Sequence, residues 1–111
     1  MLGRWVYILS EIVRESPVMQ LVGTFVTPNA SKYLQQVCKH FAHKIEVSFD
    51  ETSGRIPFAL GIAEVSATAE ALMVRFSEVA DDKRADAKSV IDKHLERFAF
   101  REGFTAMHWQ D

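Results

Sequence analysis

Apolar side chains between residues 30 and 41 recur at intervals of three and four, which is typical of the buried face of an α-helix. The members of this stripe are Ala30, Tyr33, Leu34, Val37, Cys38 and Phe41. Thr27-Pro28 or Asn29 stands just before the stripe and suits the beginning of a helix. The pattern predicts a first amphipathic helix.

A second stripe with helical spacing follows near the carboxyl end of the chain. Asp81 or Asp82 suits its first turn, where a negative charge meets the positive end of a helix, and Gly103 suits its end. The apolar members are Ala87, Val90, Ile91, Leu95 and Phe98.

Other segments are rich in β-favouring residues or alternate apolar and polar side chains, as strands with one buried face do. They predict strands over residues 21–27, 45–50, 56–60 and 72–76. Residues 62–66 are expected to extend the strand before them, and residues 104–109 offer a short final strand. The prediction is an α+β fold of order βαβββα, an antiparallel sheet of about four to five strands with both helices packed on one face.

Residues 19–111 are predicted to form one domain, whereas residues 1–18 allow two interpretations. Their apolar residues recur at helical spacing, which favours a short helix on the domain or on a partner. Alternatively, Met19 is the natural start and the segment is an extension. Trp5, Val6, Leu9, Ile12 and Val13 form the apolar set.

The composition narrows the classes of protein. A net charge of −2 gives no strong field for nucleic acid or an anionic membrane, so neither is expected as a partner. No apolar run approaches the ~20 residues of a membrane-spanning helix. Cys38 is the single cysteine, which excludes an internal disulfide and fits a reducing, cytoplasmic location. We expect it to be an inert core residue, unless the helices pack side by side and bring it to His94.

The histidines are the residues with the clearest potential chemistry. At roughly 100° per residue, His94 lies about 40° from the centre of its helix stripe, His40 about 90° and His43 about 150°. His94 therefore faces inward and needs hydrogen-bond partners, which a backbone carbonyl or a carboxylate can supply. The functional alternatives are a metal or haem site at His40, His94 and His43, or an acid/base pair. Arg97 and Arg101 either meet the negative end of the second helix or clamp an anion.

Three runs resemble one family of proteins: residues 27–34 (TPNASKYL), 38–44 (CKHFAHK) and 94–102 (HLERFAFRE). Over roughly residues 20–111 the chain resembles the bacterial domain of unknown function 2218 family. The resemblance implies no established activity. Some members of that family are joined to siderophore-interacting flavoproteins, which implies a link to iron or siderophore handling, with His40, His43, His94 and Arg97 as the matching residues.

Three hypotheses follow. The leading one is a non-catalytic ligand- or metal-binding module of iron or siderophore physiology, with a small ligand or a siderophore-related protein as partner. It uses His40 and His94, with Arg97 or Arg101 nearby. The second is a small enzyme with His94 as general base, although no GxSxG, P-loop or dinucleotide motif is present. The third is a structural domain that forms a homodimer through an open sheet face or residues 1–18.

Overall fold

A computed structural model of the chain describes residues 18–111, which form a six-stranded sheet and two α-helices. In chain order the elements are β1 (Val18–Val26), α1 (Ala30–Phe41), β2 (Ser48–Phe49), β3 (Ser53–Phe58), β4 (Gly61–Ala67), β5 (Ala71–Ala80), α2 (Arg84–Ala99) and β6 (His108–Gln110). One turn of 3₁₀-helix precedes α2 at Asp81–Lys83 and another follows it at Phe100–Glu102.

All neighbouring strands of the sheet are antiparallel, and their spatial order is β2-β3-β4-β5-β1-β6. Alternate residues of each strand face the helices, so that Leu21, Val74 and Phe76 are buried in one core. Fully burying a side chain of this size stabilises the fold by roughly 1.5–3 kcal/mol. The opposite face is exposed and includes Met73 at 38% and Ile62 at 40% exposure.

The first helix matches its predicted pattern at every position. All six residues of the predicted stripe are buried, and α1 ends at Phe41 as the spacing indicates. The stripe of α2 is less deeply buried: Ala87, Ile91 and Leu95 are in the core, while Val90 and Phe98 are partly buried against it. Gly103 follows with a left-handed φ of 77°, the conformation in which glycine commonly ends a helix.

The predicted number and order of strands are wrong because of one segment, residues 61–67. Residues 61–67 form a separate strand, β4, instead of an extension of β3, so the sheet has six strands and the order is βαββββαβ. Two residues, Ala59 and Leu60, separate β3 from β4, and Phe58 pairs with Gly61 across the reversal. The alternation of apolar and polar residues continues on both sides of this tight turn. The sequence pattern therefore does not show that the chain reverses direction here.

The predicted strand over residues 45–50 is shorter than expected, since only Ser48 and Phe49 pair with β3. Ile45 and Val47 nevertheless pack against the core as partly buried residues, which accounts for their alternating pattern. The optional final strand is present, but it begins at His108 and pairs with β1. It lies over Gly23, where an added Cβ would be 2.9 Å from the ring of Trp109.

The helix or extension predicted over residues 1–18 lies outside the described residues, apart from Val18. Within residues 18–111, no helix is long and apolar enough to cross a membrane. The exposed face of the sheet leaves room for a homodimer contact, which stays a prediction.

Candidate functional site

The structure brings His40 and His94 together between the two helices. Their ring centroids are 4.9 Å apart, with the ring of Phe41 4.6 Å from that of His94 and the ring of Phe98 6.3 Å from that of His40. Both histidines are partly exposed. The predicted pair therefore lies at the edge of the core, with apolar rings beside it.

The imidazole of His94 is held in one orientation by its own helix. Its Nδ1 lies 2.7 Å from the carbonyl oxygen of Val90, four residues earlier. Because a carbonyl can only accept, Nδ1 must carry the proton, and in the neutral ring Nε2 keeps a free lone pair. Metal-binding histidines commonly donate their second ring nitrogen in this way. A backbone carbonyl is one of the two kinds of partner expected for this ring, and the ring itself is partly exposed.

Burial and nearby basic side chains act on the charge of His40. The pKa of His40 lies below its usual range, because burial disfavours the charged ring and His94, Arg97, His43 and Lys44 add smaller effects in the same direction. His40 therefore stays neutral at lower pH than an ordinary histidine does, and a neutral imidazole is the form that can bind a metal.

The other predicted site residues are placed less favourably. His43 and Arg97 are exposed, and the guanidinium of Arg101 lies 5.5 Å from the centroid of the Phe100 ring. Among residues 18–111, no three His, Cys, Asp or Glu side chains are grouped so that they could hold a metal ion. A metal at His40 and His94 would therefore need further ligands of another kind.

Gln36 is a residue that the sequence analysis missed. It lies one turn before His40 on α1, and its side-chain oxygen is buried with no hydrogen-bond partner in the described part of the chain. Buried polar atoms are normally paired, so such an oxygen commonly marks a place for water or an ion. No spacing in the sequence indicates that this oxygen is buried without a partner.

Cys38 does not join this site. It is two residues before His40, so the two side chains point about 200° apart around α1. The thiol is fully buried against β3, where a Cβ added to Gly54 would be 2.7 Å from its sulfur. Burial raises the pKa of Cys38 to about 11, so the predicted role of an inert core residue agrees with the structure.

A second polar cluster joins the beginning of α1 to the end of α2. The carboxylate of Glu102 accepts hydrogen bonds from Thr27 Oγ1 at 2.8 Å, from Asn29 Nδ2 at 2.7 Å and from the hydroxyl of Tyr33. Thr27 Oγ1 also accepts from the backbone N–H of Asn29 at 3.0 Å. Spacing in the sequence places Thr27 and Asn29 at the beginning of the first helix but does not predict that they contact Glu102.

The hydrogen bonds of this cluster shift the pKa values of Glu102 and Tyr33. The donors Tyr33, Asn29 and Thr27, in that order, hold the pKa of Glu102 below its usual value. Burial and the bond to Glu102 raise the pKa of Tyr33 to about 12. Every polar side chain of the cluster has a partner, which indicates a structural clamp between the helices.

A concavity of about 880 Å³ lies on the exposed face of the sheet. It includes an ion pair between Arg75 and Glu64 at 2.8 Å, whose side chains are about half exposed. A mixed polar lining of this kind is ordinary for the solvated face of an antiparallel sheet. We therefore place the candidate site at the histidine pair.

These features define a small α+β domain in which two helices pack on an antiparallel sheet. The candidate histidine pair lies between the helices. The model of the bacterial family described as "Uncharacterized protein conserved in bacteria (DUF2218)" matches residues 22–110, and the chain belongs to this family. The predicted resemblance is confirmed.

One solved structure is similar to the chain as a whole. It is the NMR structure of PA4090 from Pseudomonas aeruginosa, with a TM-score of 0.67 and 27% sequence identity. The similarity covers 83% of this chain and 95% of that one. No curated protein matches the chain.

Proposed function

We propose that the protein is a non-catalytic binding module that holds a transition-metal ion between α1 and α2 through His40 and His94. The observation that favours this most is the hydrogen bond from His94 Nδ1 to Val90, which fixes the ring with its Nε2 lone pair available. Imidazole nitrogen is a ligand for zinc, copper, iron and nickel, so two histidines do not identify which of these metals is bound.

The separation of the two rings supports one mode of binding. With imidazole nitrogens about 2.1 Å from one ion, ring centroids lie about 4.6–5.3 Å apart in adjacent positions and about 6.5 Å apart in opposite ones. The distance of 4.9 Å between His40 and His94 fits adjacent positions. It does not fit the two axial positions of one haem.

Two features favour binding over catalysis. His94 Nδ1 donates its orienting hydrogen bond to a backbone carbonyl, and no carboxylate or thiol bonds to the ring within residues 18–111. A general base of the kind found in catalytic triads has such a partner. In addition, the unpaired side-chain oxygen of Gln36, one turn from His40, suits a position beside a cation or a bound water.

The proposal includes a more specific role for the protein in iron or siderophore handling. It rests on the association of some family members with siderophore-interacting flavoproteins, and Fe²⁺ is among the metals that two imidazoles accept. A siderophore-related partner protein belongs to the same hypothesis. Fe²⁺ is therefore included among the metals to be tested, under anaerobic conditions.

The test is equilibrium dialysis of the full chain against Ni²⁺, Zn²⁺, Cu²⁺ and Fe²⁺, with the bound metal measured by mass spectrometry. We expect a stoichiometry near one, lost in His94→Ala and His40→Ala. His108→Ala removes an exposed histidine on β6 and is the matched control. Circular dichroism checks that each variant folds. Binding that survives both His40→Ala and His94→Ala in folded protein would contradict the proposal.

A further inference from the structure

We infer that the His40–His94 site takes its metal as a negatively charged complex, in which an anionic chelator supplies the other ligands and Arg97 contacts the chelator. This inference rests on the proposed function and specifies its ligand class. It follows from the number of protein ligands and from the charges around them.

Within residues 18–111, the site supplies only two protein ligands to a metal ion. Two imidazoles fill two adjacent positions, and the part of the chain that the structure describes contains no group of three His, Cys, Asp or Glu side chains suited to a metal. Transition metals in proteins take four to six ligands, so at least two positions are left for a molecule that brings its own donors. The site lies at the surface, since both His40 and His94 are partly exposed.

The neighbouring side chains on both helices are cationic or neutral. Residues three and four positions apart share a helix face. After His94 these positions hold Arg97 and Phe98, and the corresponding positions after His40 hold His43 and Lys44, which lie in the turn just past the end of α1 at Phe41. The preceding positions hold Gln36 and Val37 on α1 and Val90 and Ile91 on α2.

No acidic residue occupies any of these eight neighbouring positions, although the chain has 15 Asp and Glu. Arg97 and Lys44 form no ion pair with a carboxylate inside residues 18–111 and are exposed. These charges weaken the binding of a hydrated divalent cation and strengthen that of an anionic complex of the same metal. The guanidinium of Arg97 is moreover suited to bidentate contact with a carboxylate of the chelator.

Two nickel complexes that differ in net charge but leave the same positions open distinguish the effect of charge on binding from that of coordination. Ni²⁺–nitrilotriacetate carries a net charge of −1 and Ni²⁺–tris(2-aminoethyl)amine a net charge of +2, and each leaves two adjacent positions open for imidazoles. Isothermal titration calorimetry with the full chain measures both Kd values. We expect the anionic complex to bind at least about tenfold more tightly at low salt, with the ratio falling as salt is added.

Arg97→Gln should remove most of this preference by weakening the anionic complex alone. Arg55→Gln, on the exposed sheet face, is the matched loss of one positive charge and should change neither Kd. Equal Kd values for the two complexes, or a preference for the cationic one, would overturn the inference and leave the metal site standing. If neither complex binds, and dialysis shows no bound Ni²⁺, the proposed function itself fails and the inference fails with it.

Discussion

Tyr33 and Glu102 are 69 positions apart in the chain, and the hydroxyl of Tyr33 donates a hydrogen bond to the carboxylate of Glu102. The same carboxylate accepts bonds from Thr27 and Asn29, which flank the beginning of α1. One acidic residue thus ties the end of α2 to the beginning of α1. Because His40 and His94 lie on these two helices, this clamp also helps to hold the histidine pair in register.

Removing the phenol hydroxyl should loosen the clamp without creating a large cavity. Tyr33→Phe deletes one donor to Glu102 and keeps the buried ring, so we expect a loss of about 1 kcal/mol in the free energy of unfolding. Urea denaturation followed by circular dichroism measures it. Tyr7→Phe, the same change at the other tyrosine, is the control. A Tyr33→Phe variant as stable as the parent chain would show that the bond adds no net stability.

The stability of the domain should fall with acid partly through Glu102. Its folded pKa is depressed by three hydrogen bonds, so its contribution is complete above the ordinary pKa of about 4.3 and is lost as the pH falls through the folded value. Unfolding midpoints measured between pH 7 and pH 2 should drop less steeply in Glu102→Gln. Glu96→Gln, an exposed change on α2, is the control and should keep the parent slope. If the unfolding midpoints of the parent and of Glu102→Gln fell equally steeply with pH, Glu102 would not contribute to the loss of stability in acid.

Helix burial was predictable because it depends on local periodicity. All six stripe residues of α1 are buried, and the angular estimates place His94 inward and His43 in solvent, as observed. The reversal between β3 and β4 was not predictable in the same way. A tight turn at Ala59-Leu60 preserves the period-two pattern, so the alternation is the same for one long strand and for two short ones.

The sequence predicted those features of the candidate site that depend on spacing within one helix, and not those that depend on how the helices pack. Spacing within α1 and α2 selected His40 and His94, but their 4.9 Å separation depends on how the helices pack. The clamp at Glu102 and the unpaired oxygen of Gln36 likewise arise from contacts between elements. Neither Gln36 nor Tyr33 stands out in the sequence, where each reads as an ordinary helix residue.

Cys38 should be unreactive in the folded protein. Burial raises the pKa of its thiol to about 11, and the thiolate is the reactive form. We expect labelling by iodoacetamide at pH 8 to be at least about a hundredfold slower in the native chain than in 6 M guanidinium, since reaction requires both opening and ionisation. Labelling is measured by mass spectrometry of the intact chain. Similar rates in the two conditions would show that the thiol is accessible.

Asp92 anchors the last strand to α2, and its loss should free the carboxyl end of the chain. Its carboxylate accepts bonds from the backbone N–H of Met107 at 2.9 Å and from Trp109 Nε1 at 3.0 Å. Asp92→Ala removes both acceptors, so we expect a loss of about 2 kcal/mol in the free energy of unfolding. In a Trp5→Phe background, the fluorescence of Trp109 should shift to longer wavelength as its ring becomes more hydrated.

Asp92→Asn and Asp86→Ala complete the test of this anchor. Asn keeps one acceptor oxygen, so Asp92→Asn should fall between the parent and Asp92→Ala in stability and in the wavelength of emission. Asp86 is exposed in the first turn of the same helix, so Asp86→Ala should lower the free energy of unfolding by less than about 1 kcal/mol and leave the emission unchanged. An unchanged emission spectrum in Asp92→Ala would mean that packing of Trp109 over Gly23 holds β6 in place without the carboxylate. In that case Gly23→Ala, which places a methyl group against the ring, becomes the change that displaces the strand.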